Sequence, residues 1–329
     1  MTDISELIAQ GVPPPDPTQD PTTGLGITDV TLSPGRLAFR RFLRHRLAVV
    51  SMIVLGLLIL FVLLSPITSR YSVLTQVPGL GNFKPPQSAA WFGTDRAGRD
   101  LYSRMIYGGR VSIFIGVMVA LVSGIIGTAV GAISGFRGGW IDNVLMRITD
   151  LFLAFPLLVA LLVMRNMFAS VEWLKWLFGD IKSIRFMVVL ISLIAWMPAA
   201  RVVRGVVLQL KEREFVEAAR ALGASDRRIV LRHLIPNSLG PIVVAMTTTV
   251  AIAILTESTL SFFGFGVSAE VGQTSWGILL TDARGTIQAG YWWVALFPAL
   301  ALVITVLCIN FIGDGLRDAF DPKQQRMRA

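Results

Sequence analysis

The sequence predicts an all-α membrane protein with six transmembrane helices. Of its 329 residues, 53% are hydrophobic and only 16% are charged, whereas soluble domains average about 25% charged residues. Apolar runs approaching the roughly 20 residues that span a bilayer recur along the chain. Four runs are clear, and two are shorter and have to extend into polar flanks or tilt. The clear runs are Leu47–Ile67, Val111–Ser134, Pro241–Phe263 and Val294–Ile312, and the shorter ones are Leu151–Met164 and Phe186–Ala200.

The segment ahead of the first span has two parts. Residues 1–35 are rich in Pro, Asp and Thr and contain no apolar core, so we expect a disordered arm and no signal peptide. Residues 36–67 follow as a basic flank and the first span. Because basic residues favour the cytosolic side, the five arginines of the flank place the N-terminus in the cytosol. These arginines are Arg36, Arg40, Arg41, Arg44 and Arg46.

Threading six spans from a cytosolic N-terminus puts most of the 30 Lys and Arg residues, and the tail at residues 323–329, in the cytosol. The net charge of +9 is therefore a topology signal. It does not indicate a nucleic-acid partner.

A long extracytoplasmic loop, residues 68–110, follows the first span. Its second half is charged, and two interpretations are open. The charges form either local surface ion pairs, each contributing little, or a packed ionic cap over the helix bundle. The residues concerned are Asp95, Arg96, Arg99, Asp100 and Arg104.

Residues 111–322 form the predicted core of five further spans. Small residues recur every four positions in the second span, which places them on one helix face and predicts close helix packing. In the third span Pro156 predicts a break, and Arg147 and Asp150 are spaced to pair on a helix. The small residues are Gly116, Ala120 and Gly124 in one row and Gly127, Gly131 and Gly135 in the other.

The cytosolic segment at residues 201–238 predicts two helices joined by a tight turn. Strong helix formers begin at Glu214, Gly223 interrupts them, Ser225 caps a second helix, and Pro236 ends it. Such a helix-turn-helix is a rigid knob. We call residues 214–237 the knob, because a rigid element at a membrane surface can transmit force to a partner.

Glu257 is the only acidic residue well inside a clear span. A carboxylate in this position is costly and usually faces a cavity or a partner. It lines a translocation path, forms an internal ion pair, or lies at a helix end among lipid headgroups. Ser261 and Phe262 are the neighbouring candidates for a translocation path.

The sequence offers no catalytic constellation. His45 and His233 lie in different surroundings, and the single Cys308 lies within the last span, so neither a disulfide framework nor a cysteine metal cluster is available. No phosphate-binding GK[ST] motif is present. We expect no catalytic residue, metal or cofactor on this chain, and any energy must be supplied by another protein.

The knob carries the strongest resemblance to a known family. Glu217-Ala218-Ala219, Gly223, and the segment from His233 to Pro236 are similar to the EAA loop of ABC importer permeases, although His233 and Ile235 differ from its general pattern. Further motifs, in order along residues 36–322, resemble the C-type permease of dipeptide, oligopeptide and nickel importers. They are Gly93-Thr94-Asp95, Gly98-Arg99-Asp100, Ser103-Arg104, Asp150 with Phe155-Pro156, Glu257 with Ser261-Phe262, Ser275-Trp276-Gly277 and Gly313-Asp314-Gly315.

The resemblance implies a type I importer permease in the cytoplasmic membrane of a bacterium or archaeon. It implies a second permease as heterodimer partner, two cytosolic ABC ATPase subunits that bind ATP and Mg²⁺, an extracytoplasmic substrate-binding protein, and a peptide substrate. A nickel or other small-solute permease is an alternative, as is an ion-coupled transporter or channel, which would need more intramembrane charges. The residues implied in ATPase coupling are Glu214, Glu217, Ala218, Ala219, Arg220, Gly223, Ser225, Asp226, His233 and Pro236.

Overall fold

The computed structural model describes residues 34–172, 180–267 and 274–320, and these are helices and loops without a β-strand. Most of the predicted Pro-rich arm, residues 173–179 and 268–273, and the C-terminal tail lie outside these ranges. In chain order the helices are α1 (Pro34–Arg44), α2 (Arg46–Leu63), α3 (Ser65–Thr68), α4 (Leu101–Arg137), α5 (Gly139–Leu153), α6 (Leu157–Ala169), α7 (Ile184–Leu210), α8 (Glu214–Ala221), α9 (Asp226–Ile229), α10 (Ile235–Asn237), α11 (Leu239–Phe262), α12 (Trp276–Asp282) and α13 (Trp292–Phe320).

Five of these helices, α2, α4, α7, α11 and α13, are long and apolar enough to cross a membrane. The helices α5 and α6 pass the same test together, but they meet at an angle of 96°. With the bent pair counted as one span, the described residues contain the six predicted spans. The break lies at Pro156, as predicted, because proline cannot donate the backbone hydrogen bond that would continue the helix.

Several helices extend beyond the predicted apolar runs, α4 and α7 among them. Residues 101–110 were expected in a loop but form the first turns of α4, whose N-cap Asp100 accepts a hydrogen bond from the backbone N–H of Ser103 at 2.9 Å. Residues 201–210 likewise continue α7. Hydropathy marks only the part of a helix that lies in apolar surroundings, whereas backbone hydrogen bonding continues into polar flanks.

The centre of the bundle is α4, which packs against α7 on one side and α11 on the other. A Cβ atom added at Gly131 would lie 2.4 Å from the carbonyl oxygen of Ala200 in α7. One added at Gly116 would lie 2.5 Å from the side chain of Ile254 in α11. The predicted small-residue rows are therefore confirmed as contact faces, and α4 and α7 touch backbone to backbone.

Charged pairs join α5 to α7. Arg204 donates two hydrogen bonds of 2.6 Å to the carboxylate of Asp142, which also accepts from Ser134. Asp150 pairs with Arg201, and this corrects the expected pairing of Asp150 with Arg147 within the same helix. The carboxylate of Asp142 is largely shielded and Arg204 is about one third exposed, whereas both members of the Asp150 pair are about half exposed.

Candidate functional site

The first half of the knob has the predicted geometry. The helix α8 ends in a tight turn, where the N–H of Gly223 donates to the carbonyl of Arg220 at 2.9 Å and that of Ala224 donates to Ala219 at 3.0 Å. Gly223 has φ +78°, in the left-handed region that only glycine occupies freely. The chain reversal expected at Gly223 is confirmed.

The second half of the knob differs from prediction at two residues. Ser225 occupies the N-cap position of α9, but its side chain makes no capping hydrogen bond. Pro236 does not end the helix, since Val230–Leu234 form a π-helical turn and α10 continues through Pro236. The N–H of Ile235 bonds the carbonyl of Val230, five residues back, and this wider turn precedes the position where proline lacks a donor.

The knob is anchored to the bundle by buried apolar side chains. Val216, Ile229 and Leu234 are fully buried in a cluster with Val203 and Val207 of α7. Because α7 leads directly into the knob, the cluster fixes the knob at the end of this helix. The knob therefore cannot shift without moving the end of α7.

The opposite face of the knob is open to a partner. Leu222 is 88% exposed and Leu231 52%. Among the residues implied in ATPase coupling, only Ala219 and His233 are half-buried. The exposed ones are Glu214, Glu217, Ala218, Arg220, Gly223, Ser225, Asp226 and Pro236.

The charged motif of residues 95–104 forms a buried network. The guanidinium of Arg104 donates to the carboxylates of Asp95 and Asp282, and Arg99 donates to Asp95 at 2.8 Å. Arg104 and Asp95 are almost completely buried, so the packed ionic cap is confirmed for these residues and the surface-loop interpretation is wrong. Asp282 in α12 is a partner that the sequence analysis missed.

The remaining two residues of the charged motif do not join the ionic cap. Arg96 is exposed. Asp100 instead caps α4, where it also accepts a hydrogen bond of 2.6 Å from the hydroxyl of Ser103. Asp100 therefore sets where the helix begins, and the ionic cap forms around Arg104 one turn later.

Glu257 is fully buried and surrounded by serine hydroxyls. Its carboxylate accepts from Ser261 at 2.7 Å and from Ser112 of α4 at 3.2 Å. Ser112 in turn accepts from the backbone N–H of Trp276 at 3.2 Å. No basic side chain pairs with Glu257 in the described part of the chain, and α11 continues five residues beyond it, so neither an ion pair nor an exposed helix end fits.

An apolar groove of about 860 Å³ lies between the bent pair, α7 and α11. Thr256 lines the groove, but its neighbour Glu257 points away from it. Ser261 bonds Glu257, and Phe262 lies at the end of α11, where the guanidinium of Arg284 covers its ring at 4.1 Å. A role of these three residues in a translocation path stays a prediction.

The geometry offers surfaces for docking and packing. Within residues 34–172, 180–267 and 274–320, no cluster of three His, Cys, Asp or Glu side chains could hold a metal ion. The architecture is that of a multi-pass membrane permease, with a grooved helix bundle and an anchored knob.

Comparison with known proteins defines the family. Residues 127–326 match the family described as binding-protein-dependent transport system inner membrane component, and residues 33–86 match the N-terminal transmembrane domain of oligopeptide transport permease C. The chain belongs to this family of inner membrane permeases.

Three curated relatives cover nearly the whole chain. The dipeptide transport system permease protein of Bacillus subtilis is 40% identical over 88% of this chain and 86% of its own length. The oligopeptide transport system permease protein of the same organism is 40% identical over 91% of this chain and 93% of its own length. The oligopeptide transport system permease protein of Escherichia coli K12 is 41% identical over 88% of this chain and 91% of its own length.

Proposed function

We propose that this chain is a permease subunit of an ATP-driven importer of dipeptides or oligopeptides. The observation that carries the proposal is the knob, which is anchored by buried Val216, Ile229 and Leu234 yet exposes its opposite face. An importer needs such an element to receive work from ATPase subunits. Curated relatives of nearly full length are named as permeases of dipeptide and oligopeptide transport systems.

The proposed assembly supplies what this chain lacks. A second permease closes the groove into a path, two cytosolic ATPase subunits bind ATP and Mg²⁺ and carry out hydrolysis, and an extracytoplasmic binding protein delivers the peptide. In this proposal the chain lies in the cytoplasmic membrane of a bacterium or archaeon, with both termini and the knob in the cytosol.

The contacts of the knob suggest how its displacement reaches the groove. The knob is continuous with α7, which touches α4 through Gly131 and holds α5 through the Arg204–Asp142 pair. Both α7 and the bent pair line the groove. Closure of the ATPase subunits would therefore move two walls of the groove as a rigid body.

The proposal is tested by breaking the docking surface without disturbing the bundle. Glu217→Lys reverses an exposed charge, and Gly223→Asp strains the left-handed turn. We expect both variants to insert into membranes normally but to lose the ATPase subunits in affinity purification. The control Arg96→Gln, exposed in the loop before α4, should retain them. Unchanged co-purification with both knob variants would contradict the coupling role.

The substrate is tested separately by uptake into vesicles that contain the complete complex. We expect ATP-dependent accumulation of labelled di- or oligopeptides. Accumulation of nickel ions without peptide uptake would assign the chain to a different importer, and uptake driven by an ion gradient without ATP would reject the importer class.

A further inference from the structure

The helix that precedes the first span, α1, has one face packed against the bundle. Ala38 and Phe42 are buried in a cluster with Ala48 and Ala319. Gly315 of α13 allows this close approach, since a Cβ atom there would lie 2.4 Å from the side chain of Ala48 and 3.2 Å from that of Phe42. The corner between α1 and α2 is therefore a fixed part of the bundle.

A second face of this helix is apolar and exposed. Phe39 and Leu43 are 62% and 46% exposed, and they lie one turn apart beside the buried face. Leu47 and Val50, at the start of the first span, are 57% and 56% exposed. The exposed apolar surface of the corner is thus continuous with the lipid-facing surface of a membrane-spanning helix.

The third face is basic. At about 100° per residue, Arg41 lies opposite Phe39 and Leu43, and Arg40 and Arg44 lie on the arc between the two sides. Arg40 and Arg44 are exposed, as is Arg46 just beyond the corner. Across residues 34–172, 180–267 and 274–320, no ion pair joins any of these arginines to a carboxylate.

We propose that this corner, residues 38–46, is a binding site for anionic phospholipid headgroups. The exposed stripe of Phe39 and Leu43 enters the boundary between headgroups and acyl chains, and the arginines meet lipid phosphates on the same membrane surface. Guanidinium groups suit this partner because each can donate two hydrogen bonds to one phosphate. A fixed corner presents the arginines at a constant depth, and a bound lipid then secures the packing of α1 on α13. The inference does not depend on the transported solute.

The site can be tested by native mass spectrometry of the full-length chain in detergent. Phosphatidylglycerol and phosphatidylcholine with the same acyl chains are titrated as probes, and the apparent affinity of the first bound lipid is compared. The variant is Arg40→Gln/Arg41→Gln/Arg44→Gln. The matched control, Arg227→Gln/Arg228→Gln/Arg232→Gln, removes equal charge from exposed positions of the knob.

We expect the unmodified chain and the knob control to prefer phosphatidylglycerol, and the corner variant to lose most of this preference. Each arginine near an anionic surface contributes about fivefold to affinity, so the triple change should cost about a hundredfold if the three contributions are independent. The double variant Phe39→Ala/Leu43→Ala should bind both lipids more weakly, by the same factor.

Two outcomes would overturn the proposal. One is that the corner variant and the unmodified chain prefer phosphatidylglycerol over phosphatidylcholine to the same extent. The other is that the corner variant and the knob control lose this preference to the same extent, which would show that the overall charge of the chain decides lipid binding. Circular dichroism of each variant in the same detergent shows whether its helices are retained, so misfolding is recognised separately from loss of the site.

Discussion

Arg104 and Asp282 are 178 positions apart in the chain, and a hydrogen bond of 2.9 Å joins their side chains. The same guanidinium also donates to Asp95. One buried cation thus fastens three segments together: the loop before α4, the first turns of α4, and the end of α12. The ionic cap is a tertiary contact that closes one end of the bundle.

Replacing Arg104 should destabilise the protein severely. Arg104→Met leaves Asp95 buried with one remaining basic partner, and loss of a partner from a buried ion pair costs about 3–5 kcal/mol. Because Arg99 still donates to Asp95, we expect about 3 kcal/mol, measured by denaturant unfolding in detergent. Arg96→Met at an exposed position should change stability by less than about 0.5 kcal/mol. Equal stability of the two variants would mean that the ionic cap contributes nothing.

Adding even one methyl group at the contact between α4 and α7 should destabilise the protein. Gly131→Ala would place a carbon 2.4 Å from the carbonyl oxygen of Ala200, and such overpacking costs about 1–3 kcal/mol. Gly205→Ala is the matched control, because nothing lies within 4 Å of its added Cβ. It should be neutral or stabilising by up to about 1 kcal/mol, since alanine favours helix. Thermal unfolding of the two variants in parallel gives the comparison.

Substitutions of Glu257 separate a structural role from a role in a translocation path. Glu257→Ala leaves the hydroxyl of Ser261 without its acceptor and should cost about 1–3 kcal/mol. Glu257→Gln keeps an acceptor oxygen at the same place and should cost less. A structural role predicts that peptide uptake follows stability in both variants. Uptake lost in a stable Glu257→Gln variant would instead support the translocation path.

The two charged pairs between α5 and α7 should differ in strength. In a double-mutant cycle, Asp142→Asn with Arg204→Gln should show a coupling energy well above that of Asp150→Asn with Arg201→Gln. The Asp142 pair is bidentate and its carboxylate is largely shielded. The Asp150 pair is about half exposed, and exposed pairs contribute about 0.2–1 kcal/mol. Equal coupling energies would show that burial does not separate the two pairs.

The sequence predicted the spans and the turn of the knob because their causes are local. Apolar length marks a span, and Gly223 marks a left-handed turn. It could not predict Asp282 as a partner of Arg104, because their pairing depends on how α12 packs. A signal was available, because residues 68–110 contain six basic residues and only two acidic ones, so acidic partners could have been sought elsewhere in the chain.

The end of a helix at Pro236 was predicted wrongly for a related reason. The rule that proline ends a helix assumes a regular α-helical register. A π-helical turn just before Pro236 changes this register. Hydropathy alone predicts neither this π-helical turn nor the close approach of α4 to α7. The spacing of the glycines in α4 did indicate the close approach.

The length of α4 has a mechanical consequence. Its 37 residues form a rod of about 55 Å, whereas the hydrocarbon core of a bilayer measures roughly 30 Å. Near one tip Arg104 holds the ionic cap, and at the other Phe136 lies beneath the guanidinium of Arg220 in the knob. A single unbroken strut thus touches both aqueous compartments. A tilt of α4 imposed at one end therefore moves the other end as well, and no loop has to change its conformation.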